Sequence, residues 1–253
     1  MSTPFHVVIP VRFGASRLPG KPLLDVAGRP LIRWVWECAR ASGAASVIVA
    51  TDDARIRSVA AAFGADVAMT SPRHASGTDR IAEVVRARAL PPEAIVVNLQ
   101  GDEPLMPAAV PARIAAALAQ NPQCGIATAA APFSSLAEFL DPSCVKALCS
   151  GNGEALYFSR ASVPWPRDGT VGGRPGDFTH AWRHIGIYAY RVRSLLEFAG
   201  WPPTPLETTE RLEQLRALEH GMRVYVVELQ EAPPAGVDTP EDLERVRALL
   251  RAG

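Results

Sequence analysis

One rhythm in the chain restricts its fold more than any other feature. Short, β-branched runs, FHVVIP at 5–10, SVIVA at 46–50, DVAMT at 66–70 and AIVVNL at 94–99, are each followed by a stretch of helical periodicity. A strand with apolar residues at consecutive positions needs cover on both faces, and intervening helices supply it. Helices are predicted over 30–41, 53–63, 77–90 and 107–120; Pro30 opens the first, and Gly43 and Gly64 close the first two. The alternation predicts a largely parallel sheet, half of a doubly wound α/β domain. From residue 125 the pattern changes. Strands are predicted at 125–132, 145–149, 155–160, 184–190 and 223–228, helices at 192–199 and 205–221, and a last helix from Pro240. Residues 141–181 include a stretch rich in Pro and Gly and are too few to own a core, so they read as a lobe inserted in a single domain spanning 1–253.

Charge narrows the ligand class. The 26 basic and 26 acidic residues cancel, which argues against nucleic acid and anionic membrane and leaves small-molecule chemistry. Cys38, Cys124, Cys144 and Cys149 form no CxxC pair, no run is long enough to span a membrane, and the amino terminus lacks an apolar leader. A cytoplasmic protein with reduced thiols is expected.

The first strand runs into a loop, 11–22, carrying Arg12, Arg17 and Lys21 at the strand's carboxyl end, where open α/β sheets bind ligands. It is neither a Walker A loop nor a GxGxxG fingerprint. Only Lys21 and Lys146 among the 26 basic residues are lysine, which marks Lys21 as a compact point charge suited to a phosphate oxygen. In HASGTDR, 74–80, Ser76 and Thr78 either cap a plain helix or leave amides facing a base or phosphate. In NLQGDEP, 98–104, Asp102 and Glu103 follow a strand tip, where they suit a hard cation or simply end a turn. Glu207, Glu210 and Gln214 fall at i, i+3 and i+7 of the predicted helix; they share one face, either a polyol-binding row or its wet flank. Asp238 precedes the last helix and reads equally as a cap.

Taken in order, PVRFGASRLPGKPL, HASGTDR, VNLQGDEP, ALYFSRASVPWPRD, RHIGIYAYR, PLETTERLEQLR and GVDTPEDLERVR resemble the 3-deoxy-D-manno-octulosonate (Kdo) cytidylyltransferases, or CMP-Kdo synthetases, nearly end to end. The resemblance implies a three-layer, Rossmann-like nucleotidyltransferase fold with a mixed, mostly parallel sheet and a small inserted lobe for sugar binding and dimerisation. It implies that CTP and Kdo give CMP-Kdo and pyrophosphate, activating Kdo for lipopolysaccharide synthesis. Arg12, Arg17 and Lys21 would hold the triphosphate, Ser76, Gly77, Arg80 and Gln100 the cytosine end, and Asp102 and Asp238 a magnesium ion. Arg160, His184, Tyr188, Glu207, Glu210 and Gln214 fall in the motifs lining the sugar pocket. A homodimer is expected. Related acid sugars, 8-amino-Kdo or a sialic acid, are the alternative substrates, and a catalytically silent nucleotide-binding relative is the alternative class. Val11 stands where the family commonly has alanine, and Ala15 and Ser16 where Ser-Thr is usual. The sequence offers no role for Lys146.

Overall fold

The computed structural model describes residues 3–14, 18–165, 167 and 180–252. Its first strand, β1 (Phe5–Val11), has Val7, Val8 and Ile9 fully buried, as the unbroken apolar run requires. A 3₁₀ turn (Lys21–Leu23) and a small hairpin, β2 (Asp25–Val26) with β3 (Arg29–Pro30), lead into α1 (Leu31–Ala41). There follow β4 (Ser46–Thr51), α2 (Ala54–Ala62), β5 (Asp66–Met69), α3 (Gly77–Ala87), β6 (Ile95–Asn98) and α4 (Ala109–Gln120), matching the expected rhythm. The later half holds β7 (Ile126–Ala131), α5 (Leu136–Leu140), β8 (Lys146–Cys149), β9 (Ala155–Ser159), β10 (Trp182–Arg191), α6 (Val192–Phe198), α7 (Pro205–Glu210), α8 (Gln214–Glu219), β11 (Val224–Glu228) and α9 (Pro240–Ala252).

The main sheet is ordered β11-β7-β10-β6-β1-β4-β5. Its strands pair in parallel except β10, which lies antiparallel between β6 and β7. The sheet is therefore mixed and mostly parallel. Alternate residues of β1 feed opposite faces. Phe5, Val7 and Ile9 pack with Ile32 of α1, Ile56 of α2 and Ile114 of α4, while Val8 packs with Ile81 of α3, Leu195 of α6 and Leu215 of α8. Helices thus cover both faces and complete three layers. β8 and β9 extend this sheet through β10, so the described part of 141–181 is bonded to the main body; residues 166 and 168–179 lie outside the described set.

One expectation fails. The helix predicted over 205–221 is two helices, because Arg211 adopts a left-handed conformation (φ 52°, ψ 48°) and ends α7. Such a break carries no sequence signal when the residue is arginine and not glycine or asparagine. Glu207, Glu210 and Gln214 consequently do not form one helical row.

Candidate active site

The carboxyl tips of β1 and β6, adjacent and parallel, open into a cleft of about 360 Å³. Arg12, Lys21, Ser76, Gly77, Arg80, Gln100, Asp102 and Asp238 all line it. Eight sequence-predicted residues from four segments thus meet at one place; Arg17 lies outside the described residues. The basic loop is closed by a hydrogen bond from Gly20 N–H to Phe13 O (3.0 Å), and Gly20 takes φ 69° beneath the Phe13 ring. Ser76 caps α3 by accepting from Asp79 N–H (3.1 Å), and the Asp79 carboxylate accepts from Ser76 N–H (3.2 Å). This is a capping box. Thr78 does not cap; its hydroxyl donates to Glu213 (2.7 Å). Arg80 is buried, with its guanidinium donating to Asp52 (2.9 Å) and to Thr70. Gln100 donates to Asn98 (3.3 Å), which holds its amide at the strand tip.

Asp102 and Asp238 meet through Lys21. Its ammonium donates to Asp102 Oδ2 at 2.6 Å, Val237 O at 2.8 Å and Asp238 Oδ1 at 3.2 Å. α9 makes this junction possible. Leu243 and Val246 pack with Val26, Leu31 and Val237, and Val237 N–H donates to Asp102 O (2.9 Å). Gly236 passes so close that a Cβ there would stand 2.6 Å from Asp102 O and 2.9 Å from Glu103 Oε1, so no larger residue fits without movement. Glu103, which follows Asp102 at the strand tip, sits in a different setting. Burial, with Asp102 and Asp238 adding, pushes its carboxyl up to about 8 against the pull of Lys21 and Arg183.

Two carboxylates with a cation already drawn between them fit a hard divalent ion, the lysine ammonium standing in for its charge. Among the described residues no cluster of three or more His, Cys, Asp or Glu forms a closed metal cage.

The residues expected around a sugar do not line this cleft. They form a second cluster joined to it by the Thr78–Glu213 bond. Glu210 accepts from Ser159 Oγ (2.7 Å) and Arg160 N–H (2.9 Å), and Arg160 donates back to Glu210 O (2.7 Å) and to Pro142 O (3.0 Å). His184 and Tyr188 lie 5.5 Å apart between ring centroids on β10. Glu207 is engaged otherwise. Its carboxylate binds the Arg216 guanidinium through both oxygens, at 2.5 and 2.8 Å, with both side chains largely buried. Glu213, which the sequence reading passed over, takes its place nearer Thr78 and Tyr188. Burial raises its carboxyl above the usual range, and its Oε1 has no hydrogen-bond partner; the buried Gln214 Nε2 has none either. Adjacency to Gln214 was the one available signal for Glu213. The burial of Lys146 is also explained locally: its ammonium is wholly inaccessible and donates to Asp141 O (2.7 Å) and Arg160 O (3.1 Å), tying β8 to the end of β9.

Residues 6–224 match a family described as cytidylyltransferase. A 3-deoxy-manno-octulosonate cytidylyltransferase of Pseudomonas syringae pv. tomato is 54% identical over 235 residues, 92% of each chain. Its counterpart from Halorhodospira halophila is 55% identical over 229 residues, 89% of each chain. This chain belongs to the 3-deoxy-manno-octulosonate cytidylyltransferase family. A solved CMP:2-keto-3-deoxy-manno-octonic acid synthetase, complexed with CTP, matches this family member with a TM-score of 0.90 at 40% identity, covering 99% of both chains. A cytidylyltransferase from Leptospira borgpetersenii, 16% identical, shares the fold with a TM-score of 0.63 over 99% of this chain and 88% of its own. As a 3-deoxy-manno-octulosonate cytidylyltransferase family member, the chain is a nucleotidyltransferase.

Proposed function

We infer that the cleft transfers CMP from CTP to Kdo, releasing pyrophosphate and yielding CMP-Kdo for lipopolysaccharide synthesis. The observation that carries this reading is the meeting of Lys21, Asp102 and Asp238 at the strand tips. Arg12, Lys21 and Arg17 hold the triphosphate, while the start of α3, with Arg80 and Gln100, receives the cytosine end. The sugar hydroxyl attacks the α-phosphorus in line, so the protein's task is to position two reactants and to offset charge on phosphate oxygens. Asp102 and Asp238 would hold magnesium, which supplies Lewis-acid stabilisation at the α-phosphate and lowers the pKa of the attacking hydroxyl when bound. Lys21 is placed to follow the charge onto the leaving pyrophosphate. Arg160, His184, Tyr188, Glu210 and Gln214, with Glu213, are assigned to the sugar side.

We place the protein in the cytoplasm; no described helix is long and apolar enough to cross a membrane. A homodimer through the inserted lobe is supported by Leu156 and Trp165, 64% and 67% exposed, and by β9, which among the described residues pairs only with β8. Pyrophosphate release from CTP with Kdo, 8-amino-Kdo or N-acetylneuraminate tests the assignment, and strongest turnover with a sugar other than Kdo would overturn it. Asp102→Asn and Asp238→Asn should each remove most turnover at limiting magnesium and regain part of it in excess. A variant retaining the wild-type rate at limiting magnesium would show that its aspartate only supports the loop.

A further inference from the structure

β10 carries an irregularity beside the sugar-side cluster. His184 and Ile185 pair with Ala130 and Ala129, yet the next pair is Tyr188 with Thr128, so Gly186 and Ile187 have no residue opposite. Bulges of this sort re-aim neighbouring side chains. The Thr128 side chain is fully buried against the bulge, with Oγ1 2.8 Å from Ile187 O, 3.2 Å from Ile185 O and 2.9 Å from His184 Nε2.

Hydrogen counting resolves the direction of these bonds. A threonine hydroxyl has one hydrogen and two lone pairs, whereas both carbonyls only accept. The hydrogen therefore goes to a carbonyl, foremost Ile187 O. Were it given to the imidazole, both carbonyls would face a hydroxyl lone pair at close range. His184 Nε2 must then carry a hydrogen and donate to Thr128. The ring is further fixed by Phe158, edge-on at 4.9 Å, and by Tyr188 at 5.5 Å. Burial holds the imidazole down to about 3, so it is neutral at pH 7. A neutral ring protonated on Nε2 is bare on Nδ1. Among the described residues the side-chain hydrogen bond of the ring is the one between Nε2 and Thr128, and His184 is only part-buried.

We propose that Thr128 is a positioning residue that locks His184 in its Nε2–H tautomer, so that Nδ1 is offered as a hydrogen-bond acceptor to a hydroxyl group of the acid sugar. The sugar half of this statement rests on the function proposed above; the tautomer does not. A cationic or Nδ1–H imidazole would present a donor at the same place, which a carboxylate or carbonyl oxygen could satisfy; a bare Nδ1 repels those acceptor-only oxygens and pairs only with a group that brings a hydrogen, as a hydroxyl does.

Long-range ¹H–¹⁵N correlation on histidine-labelled protein, with His184 assigned by loss of its signals in His184→Gln, reads the tautomer without any turnover. The expected wild-type pattern at neutral pH is a protonated Nε2 and a bare Nδ1. A protonated Nδ1, alone or together with Nε2, overturns the proposal. Thr128→Val keeps the shape and removes the hydroxyl; it should lose the single-tautomer pattern and raise KM for Kdo about tenfold, leaving KM for CTP within about threefold. Thr128→Ser should restore both. A Thr128→Val enzyme with the wild-type tautomer and Kdo KM, or with both KM values raised alike, also overturns it. Wild-type turnover with CTP and Kdo is measured in the same series, so failure of the substrate assignment is seen separately from failure of the tautomer.

Discussion

Replacing Lys21 by arginine preserves its charge and adopts the residue that supplies nearly all the other positive charge in this chain, yet it should cost most of the activity. Three oxygens, from Asp102, Val237 and Asp238, converge on one ammonium at 2.6, 2.8 and 3.2 Å. An ammonium has a hydrogen for each; a guanidinium spreads its donors across a longer planar fork and cannot serve three acceptors around one point. The backbone has no slack for withdrawal. Gly20 precedes at φ 69°, Pro22 follows, and Lys21 N–H and Leu23 N–H are bonded to Leu18 O (3.1 Å) and Gly20 O (2.8 Å). At least one contact is lost. A hydrogen bond to a charged group contributes about 1.5–3 kcal/mol, with Asp238 at the lower end because its side chain is 57% exposed. Misplacing one charge-stabilising donor in a preorganised site costs on the order of 100-fold, which is the loss expected in kcat/KM for CTP. Pyrophosphate release with each substrate varied is the assay, and KM for Kdo should hold within a few-fold. Lys21→Met, which leaves Asp102 and Asp238 with no ammonium between them, should be worse still. If Lys21→Arg stayed within a few-fold of wild type, the convergence of three oxygens on Lys21 would have no catalytic importance.

Glu207→Gln should destabilise the fold by about 3 kcal/mol in urea, because it leaves the buried Arg216 without its carboxylate, whereas Glu213→Gln should leave stability nearly unchanged and raise KM for Kdo; the reverse pattern would refute both assignments. His184, held near 3, stays unprotonated in the folded chain while the unfolded chain binds a proton below about 6.5. Stability should therefore fall as pH drops from 6.5 towards 3, by about 2 kcal/mol at pH 5 from this group alone, and His184→Gln should remove that part of the slope in denaturant titrations. Glu103 acts in the opposite direction between its ordinary value and 8, so the comparison of the two proteins is the informative quantity. Leu156→Asp should reduce the particle to the 27.1 kDa chain in light scattering; a wild-type protein already at that mass across the micromolar range would refute the dimer.

What could be read from sequence and what could not divide along physical lines. The strand-helix alternation was legible because both-face burial forces continuous apolar runs, as in Val7, Val8 and Ile9. The cleft residues were legible because loops after strand tips sit where ligands bind, and Arg12, Lys21, Ser76 and Asp102 each follow or neighbour one. The sugar side was less so. Helical periodicity placed Glu207, Glu210 and Gln214 on one face, and the left-handed Arg211 undid that geometry with no glycine to announce it. Adjacency to Asp102 says nothing of how far the Glu103 carboxyl is removed from water. Thr128 sits in IATAAA as a small β-former among alanines, and its partners depend on a bulge in a strand more than fifty residues away.

The docking of α9 makes the active centre a product of the two ends of the chain. Lys21 and Asp238 are 217 residues apart in sequence, and Val237 and Asp238 reach the site on the segment leading into that helix. The last carboxylate is therefore in place only while Leu243 and Val246 pack against Val26 and Leu31. Anything that loosens that small apolar contact would yield a protein that is folded and still binds nucleotide but turns over slowly, so activity reports on the docking of α9 more sharply than binding does.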